Sequence, residues 1–109
     1  MAKFVTIGFG DQQGYDQTDA ATRNSAHAAD ARLQRSGAIM GRAGSPVQVR
    51  NHDDLEVNLT YSRFSTSELP LAGFAIIEAA TIDEAVALAS RTPCAVAHGV
   101  VEVWPLEQS

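Results

Sequence analysis

Cysteine is almost absent from this sequence. Cys94 is the only one among 109 residues, so no internal disulfide and no cysteine-rich zinc site can form. Lysine is equally scarce: Lys3 stands alone, and the other seven basic residues are arginines scattered along the chain. With no basic stripe, binding to a phosphate backbone lacks its main driving force, and nucleic acid is not expected as a partner. No apolar run approaches the roughly 20 residues of a membrane-crossing helix, so no membrane partner is expected. No leader-like stretch is visible near Met1, and with a single cysteine the expectation is a cytoplasmic protein.

What is present is ordinary for a folded domain: 45% hydrophobic, 19% charged and 6% aromatic residues. A chain of this length supports one domain, 1–109, with one modest core. The net charge of −5 is unevenly spread: beyond residue 54 only Arg63 and Arg91 face seven acids. A solvated acidic surface is the plain reading of that imbalance.

Hydrophobic patterning gives the element order. In Lys3–Phe9, Val5, Ile7 and Phe9 fall on one face and Phe4, Thr6 and Gly8 on the other, as in a central strand. Gly8, Gly10 and Gly14 then read as punctuation of a polar loop. From Asp16 or Thr18 to Ser36 the alanine content predicts a helix, with Ala26, Ala29 and Leu33 inward and Gly37 as its stop. A short strand starts over Ala38–Met40. Val47 and Val49 alternate with polar residues, and Leu55, Val57, Leu59 and Tyr61 do so again. These two runs predict a hairpin with a half-buried second strand. Phe74–Ile77 predicts a strand. Thr81-Ile82-Asp83-Glu84 has the form of a capping box, ahead of a helix with Ile82, Ala85, Val86 and Ala89 inward and Pro93 at its end. Val100–Trp104 predicts the last strand.

The expected fold is therefore α+β: a ferredoxin-like sandwich, β-α-β then β-α-β, with an extra β-hairpin between the halves. Two helices cover one face of such a sheet, yet the first and last strands are apolar on both. A homodimer with sheet faces packed together is the expected answer, burying well over ~1,000 Å².

The run Leu71-Ala72-Gly73-Phe74-Ala75-Ile76-Ile77-Glu78, then Thr81–Ala85, Pro93, and Gly99-Val100-Val101-Glu102-Val103-Trp104-Pro105, resembles the YCII-related domain family, in its branch named for a DGPFAETKE motif. The resemblance implies a dimeric α+β barrel built from ferredoxin-like protomers. It also implies a small-molecule enzyme, with relatives in dehalogenation and in the degradation of hydroxylated aromatics. Tyr61-Ser62-Arg63-Phe64 stands where that branch has Asp-Gly-Pro-Phe, and only Phe64 matches. Trp104 stands where the family has arginine. The family's helix histidine, an acid/base group, has His27 as its neighbour here, one residue nearer the helix-ending glycine, or about 100° of helix rotation. The family's aspartate after the second strand has no counterpart; Arg42 and Ser45 occupy that region.

Candidate chemistry rests on few residues. His27, with Asp30 three residues on, has the make-up of a general base near neutral pH; the plainer reading is a surface histidine on an alanine-rich helix. His98 begins the last strand, where loops line pockets, or else pairs with Glu78 or Glu102. Cys94 lies four residues before His98, a nucleophile pair in composition, although burial of a small side chain explains Cys94 equally well. Tyr61, Arg63, Phe64 and Trp104 form a candidate substrate-binding set, with Arg63 holding a carboxylate or phenolate and the aromatics as wall.

Gly8–Gly14 has G-x-G-x-x-x-G spacing, which is not a dinucleotide loop, and no cofactor is expected. His52-Asp53-Asp54 has no supporting ligand elsewhere, so no metal is expected. Two functional readings stand: a small-molecule enzyme doing acid/base or hydrolytic chemistry on a small aromatic or carbonyl substrate, and a non-catalytic small-ligand-binding or accessory dimer. A dimerisation module without a pocket is a third.

Overall fold

The structure, a computed structural model, describes residues 1–107. Strand β1 (Ala2–Phe9) is followed by helices α1 (Gln12–Gln17) and α2 (Ala20–Arg35), then strand β2 (Ile39–Arg42). Strands β3 (Gln48–Arg50) and β4 (Asn58–Thr60) flank a 3-10 turn at His52–Asp54. Strand β5 (Leu71–Ala79), helices α3 (Ile82–Ala89) and α4 (Pro93–Val96), and strand β6 (Val100–Pro105) complete the chain. The architecture is α+β. Four strands form one antiparallel sheet in the order β2-β5-β1-β6, and β3-β4 is a separate two-stranded sheet. The four-stranded sheet is open, and the described residues of the single chain form no closed barrel.

Side-chain alternation assigns the faces. On one face, β1 presents Phe4, Thr6 and Gly8 opposite Ile77, Ala75 and Gly73 of β5. Phe4, Ala75, Ile77 and Ala79 are buried there against Leu33 of α2 and Ala85 of α3, with Met40, Leu88 and Val103 packed around them. This core is thin. Its buried set is mostly alanine, and Phe4, Leu33 and Ile77 supply its large side chains. Each of those three contributes about 1.5–3 kcal/mol on burial.

Among the described residues, no helix covers the opposite face of the sheet. Ile39, Phe74, Ile76, Val100 and Trp104 are exposed on it, Ile39 at 72% and Trp104 at 55%. Val5, Ile7 and Phe9 lie half-buried between them.

Several expectations are corrected. The glycine-punctuated loop is in part helix α1. Asp11 caps it by accepting from the Gly14 amide at 2.9 Å, and Gly14 is buried because a Cβ there would lie 2.5 Å from the Ala97 carbonyl oxygen. The long helix starts at Ala20, not at Asp16 or Thr18: Asp19 is its cap, and Thr18 closes α1 by donating to the Gly14 carbonyl. Gly37, at φ 108°, follows the end of α2 in the left-handed region glycine tolerates. Pro93 opens α4 rather than merely ending α3. In α3, Ala85 and Ala89 are buried but Ile82 and Val86 face outward. The Thr81 hydroxyl accepts from the Glu84 amide at 3.1 Å, while the Glu84 carboxylate accepts from the Ala80 amide, one residue earlier than the usual box.

The half-buried strand expected at Leu55–Tyr61 is a three-residue strand, exposed throughout. Val49 lies opposite Leu59, both uncovered, because β3 and β4 stand away from the main sheet as an arm. The Cα radius of gyration is accordingly 15.8 Å, against about 13 Å for a compact chain of this length.

Candidate active-site cleft

The helix-covered face of the sheet narrows in side-chain size along β1 and β5. The row Phe4–Ile77 is followed by Thr6–Ala75 and then by Gly8–Gly73. Large side chains pack against Leu33 at one end. At the other, the Gly8 and Gly73 backbone lines an open cleft of about 720 Å³, with Cys94 Sγ packed over Gly8. The walls come from α1 (Tyr15), α2 (His27, Asp30, Gln34), β2 (Met40, Arg42), α4 (Cys94) and Ala97 just after it. A ligand-sized volume of this order is typical of small-molecule sites.

Tyr15 and His27 meet at the cleft. The phenol oxygen and His27 Nε2 are hydrogen bonded at 2.8 Å, and the ring centroids are 5.8 Å apart. With the imidazole neutral and its proton on Nδ1, the phenol is the donor. The Arg23 guanidinium stands 4.9 Å from the Tyr15 ring centroid, a cation–π contact that holds the phenol from a second direction. Asp30 lies within the cleft wall one helical turn from His27. Burial pushes its carboxyl above the ordinary value, and the positive charge available on His27 opposes that shift.

Cys94 is half-buried, close enough to β1 that a Cβ on Gly8 would lie 2.9 Å from its sulfur. Burial, and secondarily the Asp30 carboxylate, push its thiol upward, so it stays protonated and is a poor nucleophile. His98 does not partner it. His98 is exposed, sits at φ 63° before Gly99, and is not among the cleft residues. Neither of its suggested carboxylate partners engages it among the described residues; Glu102 accepts from Trp104 Nε1 at 3.1 Å instead.

The substrate-binding set Tyr61, Arg63, Phe64 and Trp104 is not assembled in the single chain. None of the four lines the cleft. Arg63 donates to the Ser67 and Leu69 carbonyls and to Ser67 Oγ, which organises its own loop. Phe64 is 77% exposed beneath the Arg50 guanidinium, and Tyr61 is exposed beside it in sequence. Trp104 lies on the open face of the sheet. Of the candidate residues read from sequence, His27, its neighbour Asp30 and Cys94 reach the cleft, while His98, Tyr61, Arg63, Phe64 and Trp104 do not. Tyr15, twelve residues from its partner, carries no local signal in the sequence. The opposed glycines, Gly8 and Gly73, were legible as glycines but not as cleft lining.

Among the described residues no group of three or more His, Cys, Asp or Glu side chains is placed to hold a metal ion, and no helix is long and apolar enough to cross a membrane. No protein-family model matches the chain, and no curated protein matches it.

Proposed function

We propose that the protein acts on a small aromatic or carbonyl compound by acid/base or hydrolytic chemistry in the cleft between α2 and the sheet, as a homodimer of YCII-related, ferredoxin-like protomers. The observation that carries this reading is the Tyr15–His27 hydrogen bond at the cleft, with Asp30 one turn away. In the proposed step, the phenol passes its proton to His27 Nε2 as its oxygen takes a proton from the substrate or from an attacking water. The products are a substrate anion or bound hydroxide, a restored phenol and an imidazolium. Ionised Asp30 stabilises that imidazolium, an attraction that opposes the effect of burial on its carboxyl.

The strand order β2-β5-β1-β6, with crossovers through α1–α2 and α3–α4, supports the ferredoxin-like assignment. The apolar open face supports the dimer, because a second copy would cover Ile39, Phe74, Ile76 and Trp104. One observation favours the alternative, a non-catalytic ligand-binding or accessory dimer: His98 and Arg63 lie outside the cleft, which leaves a single histidine there.

A metabolite library screened by thermal shift against the wild type and the variants His27→Ala, His98→Ala and Arg63→Ala tests the proposal. The expected result is a stabilising compound whose shift falls in His27→Ala and persists in the other two. A compound whose shift is unchanged in His27→Ala contradicts it.

A further inference from the structure

Resting on the homodimer proposed above, we infer that the β3–β4 arm is a clasp for a second copy of this chain, with the arm's apolar face, centred on the Val49–Leu59 pair, packed on the partner protomer. The arm is amphipathic. Val49 lies opposite Leu59, so both side chains leave the same face of the two-stranded sheet, and Val47, Val57 and Tyr61 continue that face by alternation. All five are exposed. Gln48, Arg50, Asn58 and Thr60 take the other face.

The polar face finds its partners inside the arm. Gln48 Nε2 donates to the Ser62 carbonyl at 2.9 Å, and Arg50 donates to Gln48 Oε1 at 2.9 Å and lies over Phe64. Arg63 ties its own loop through Ser67 and Leu69. Among the described residues, the hydrogen bonds of 44–69 all stay within that segment. The arm is therefore shaped by its own polar contacts, while its apolar face has no cover. Two strands of this length are marginal in water without packing on that face.

The exposed area sets the size of what is missing. The chain exposes 7681 Å², whereas a folded monomer of 11.6 kDa exposes about 5,800 Å². Two copies together carry an excess of roughly 3,600 Å², within the about 2,000–5,000 Å² that obligate homodimers bury. The arm is rooted beside the other uncovered apolar surface. Strand β2 presents Ile39 on the open sheet face, and the arm leaves two residues after Gly41, where the Ala43 amide donates to the Ala72 carbonyl at 2.8 Å. A two-fold pair covers both surfaces, because each protomer brings both to one interface. A lipid surface is disfavoured: Asp53, Asp54 and Glu56 stand at the arm's tip, and the chain carries a net charge of −5.

Sedimentation equilibrium of the intact chain tests the clasp. Leu59→Glu, on the apolar face, is expected to weaken the dimer at least tenfold, because the substitution enters a two-fold interface twice. Thr60→Glu, on the polar face, adds the same charge and should leave the dimer constant unchanged. Both positions are exposed and outside the core, so the fold of the protomer is preserved. A second measurement locates the arm. Chains carrying a nitroxide at Thr60→Cys, in a Cys94→Ala background, are refolded together with isotope-labelled chains free of nitroxide. Broadening of amides in the labelled copies is expected. If the wild type is a dimer broken by Ile76→Glu but not by Leu59→Glu, or weakened equally by Thr60→Glu, the clasp is overturned and the dimer stands. Broadening confined to the nitroxide-bearing chain places the arm on its own protomer and overturns it too. Co-sedimentation with phosphatidylcholine–phosphatidylserine vesicles, lost in Leu59→Glu, makes the occupant a lipid surface and contradicts the clasp. A monomeric wild type overturns both the clasp and the dimer.

Discussion

Tyr15 Oη and His27 Nε2 lie 2.8 Å apart, joining the short helix α1 to the long helix α2 at the rim of the cleft. The two residues are twelve apart in sequence, and the Thr18–Asp19 junction between the helices brings them together. Thr18 closes α1 on the Gly14 carbonyl, and Asp19 opens α2 on the Thr22 amide. The bond therefore reports on both the site and the helix junction.

A double-mutant cycle on Tyr15→Phe and His27→Ala measures it. The bond is exposed, and an intramolecular hydrogen bond typically contributes about 0.5–1.5 kcal/mol, so the lower part of that range applies. The expected coupling free energy in urea unfolding falls in that range, and the two losses adding without coupling would contradict the contact.

Asp30 supplies a pH dependence. Its folded-state value is raised by burial, so the protonated carboxyl is the form the fold favours. That stability is fully present below the ordinary value of 3.8 and is lost as pH rises through the raised one. Asp30→Asn, which cannot ionise, is expected to raise Tm at pH 7 and to lose that advantage below about pH 4. A gain of equal size at both ends of the range would show that charge is not the cause.

Asp19 has the opposite sign. Hydrogen bonds from the Thr22 amide and hydroxyl hold its carboxyl below the ordinary value. Its contribution is present above 3.8 and is lost as pH falls through the lowered value. Asp19→Ala should destabilise at pH 7, because the cap of α2 is lost, with the difference shrinking in strong acid. Circular dichroism melts across pH read both signs in one series.

Gly8 and Cys94 are coupled by space. A Cβ on Gly8 would lie 2.9 Å from the Cys94 sulfur, closer than packed atoms allow. Gly8→Ala should cost roughly 1–3 kcal/mol, as overpacking does. Adding Cys94→Ala should return part of it, because the clashing atom is gone. No recovery in the double variant would place the strain in the β1 backbone instead.

The open sheet face carries its own test. Light scattering should give twice the 11.6 kDa chain mass at micromolar concentration, and Ile76→Glu should shift the protein toward the monomer. A monomeric wild type would contradict the proposed dimer.

The sequence made the sheet readable where burial is one-sided. Phe4, Thr6 and Gly8 against Val5, Ile7 and Phe9 marked both faces of β1, and Ala26, Ala29 and Leu33 marked the inward face of α2. Helix α1 was hidden because Gly14 looks like a breaker; here its missing Cβ is what lets Ala97 approach. The arm misled for a different reason. Alternation in Leu55–Tyr61 tells which side chains share a face, but not whether anything covers them, and within one chain nothing does. The same limit applies to Tyr61, Phe64 and Trp104, which are aromatic enough for a pocket wall yet stand outside the cleft. His27 with Asp30 was legible as chemistry; Tyr15 joined them only through folding.

The most direct test of the cleft is the footprint of a bound compound. Titrating the strongest stabiliser from the library into labelled protein should move the amides of Gly8, Tyr15, His27, Asp30 and Gly73 and leave those of Val49, Leu59 and Tyr61 on the arm still. A footprint confined to the arm, or to Ile39, Ile76 and Trp104 on the open face, would contradict the assignment of the site to the cleft.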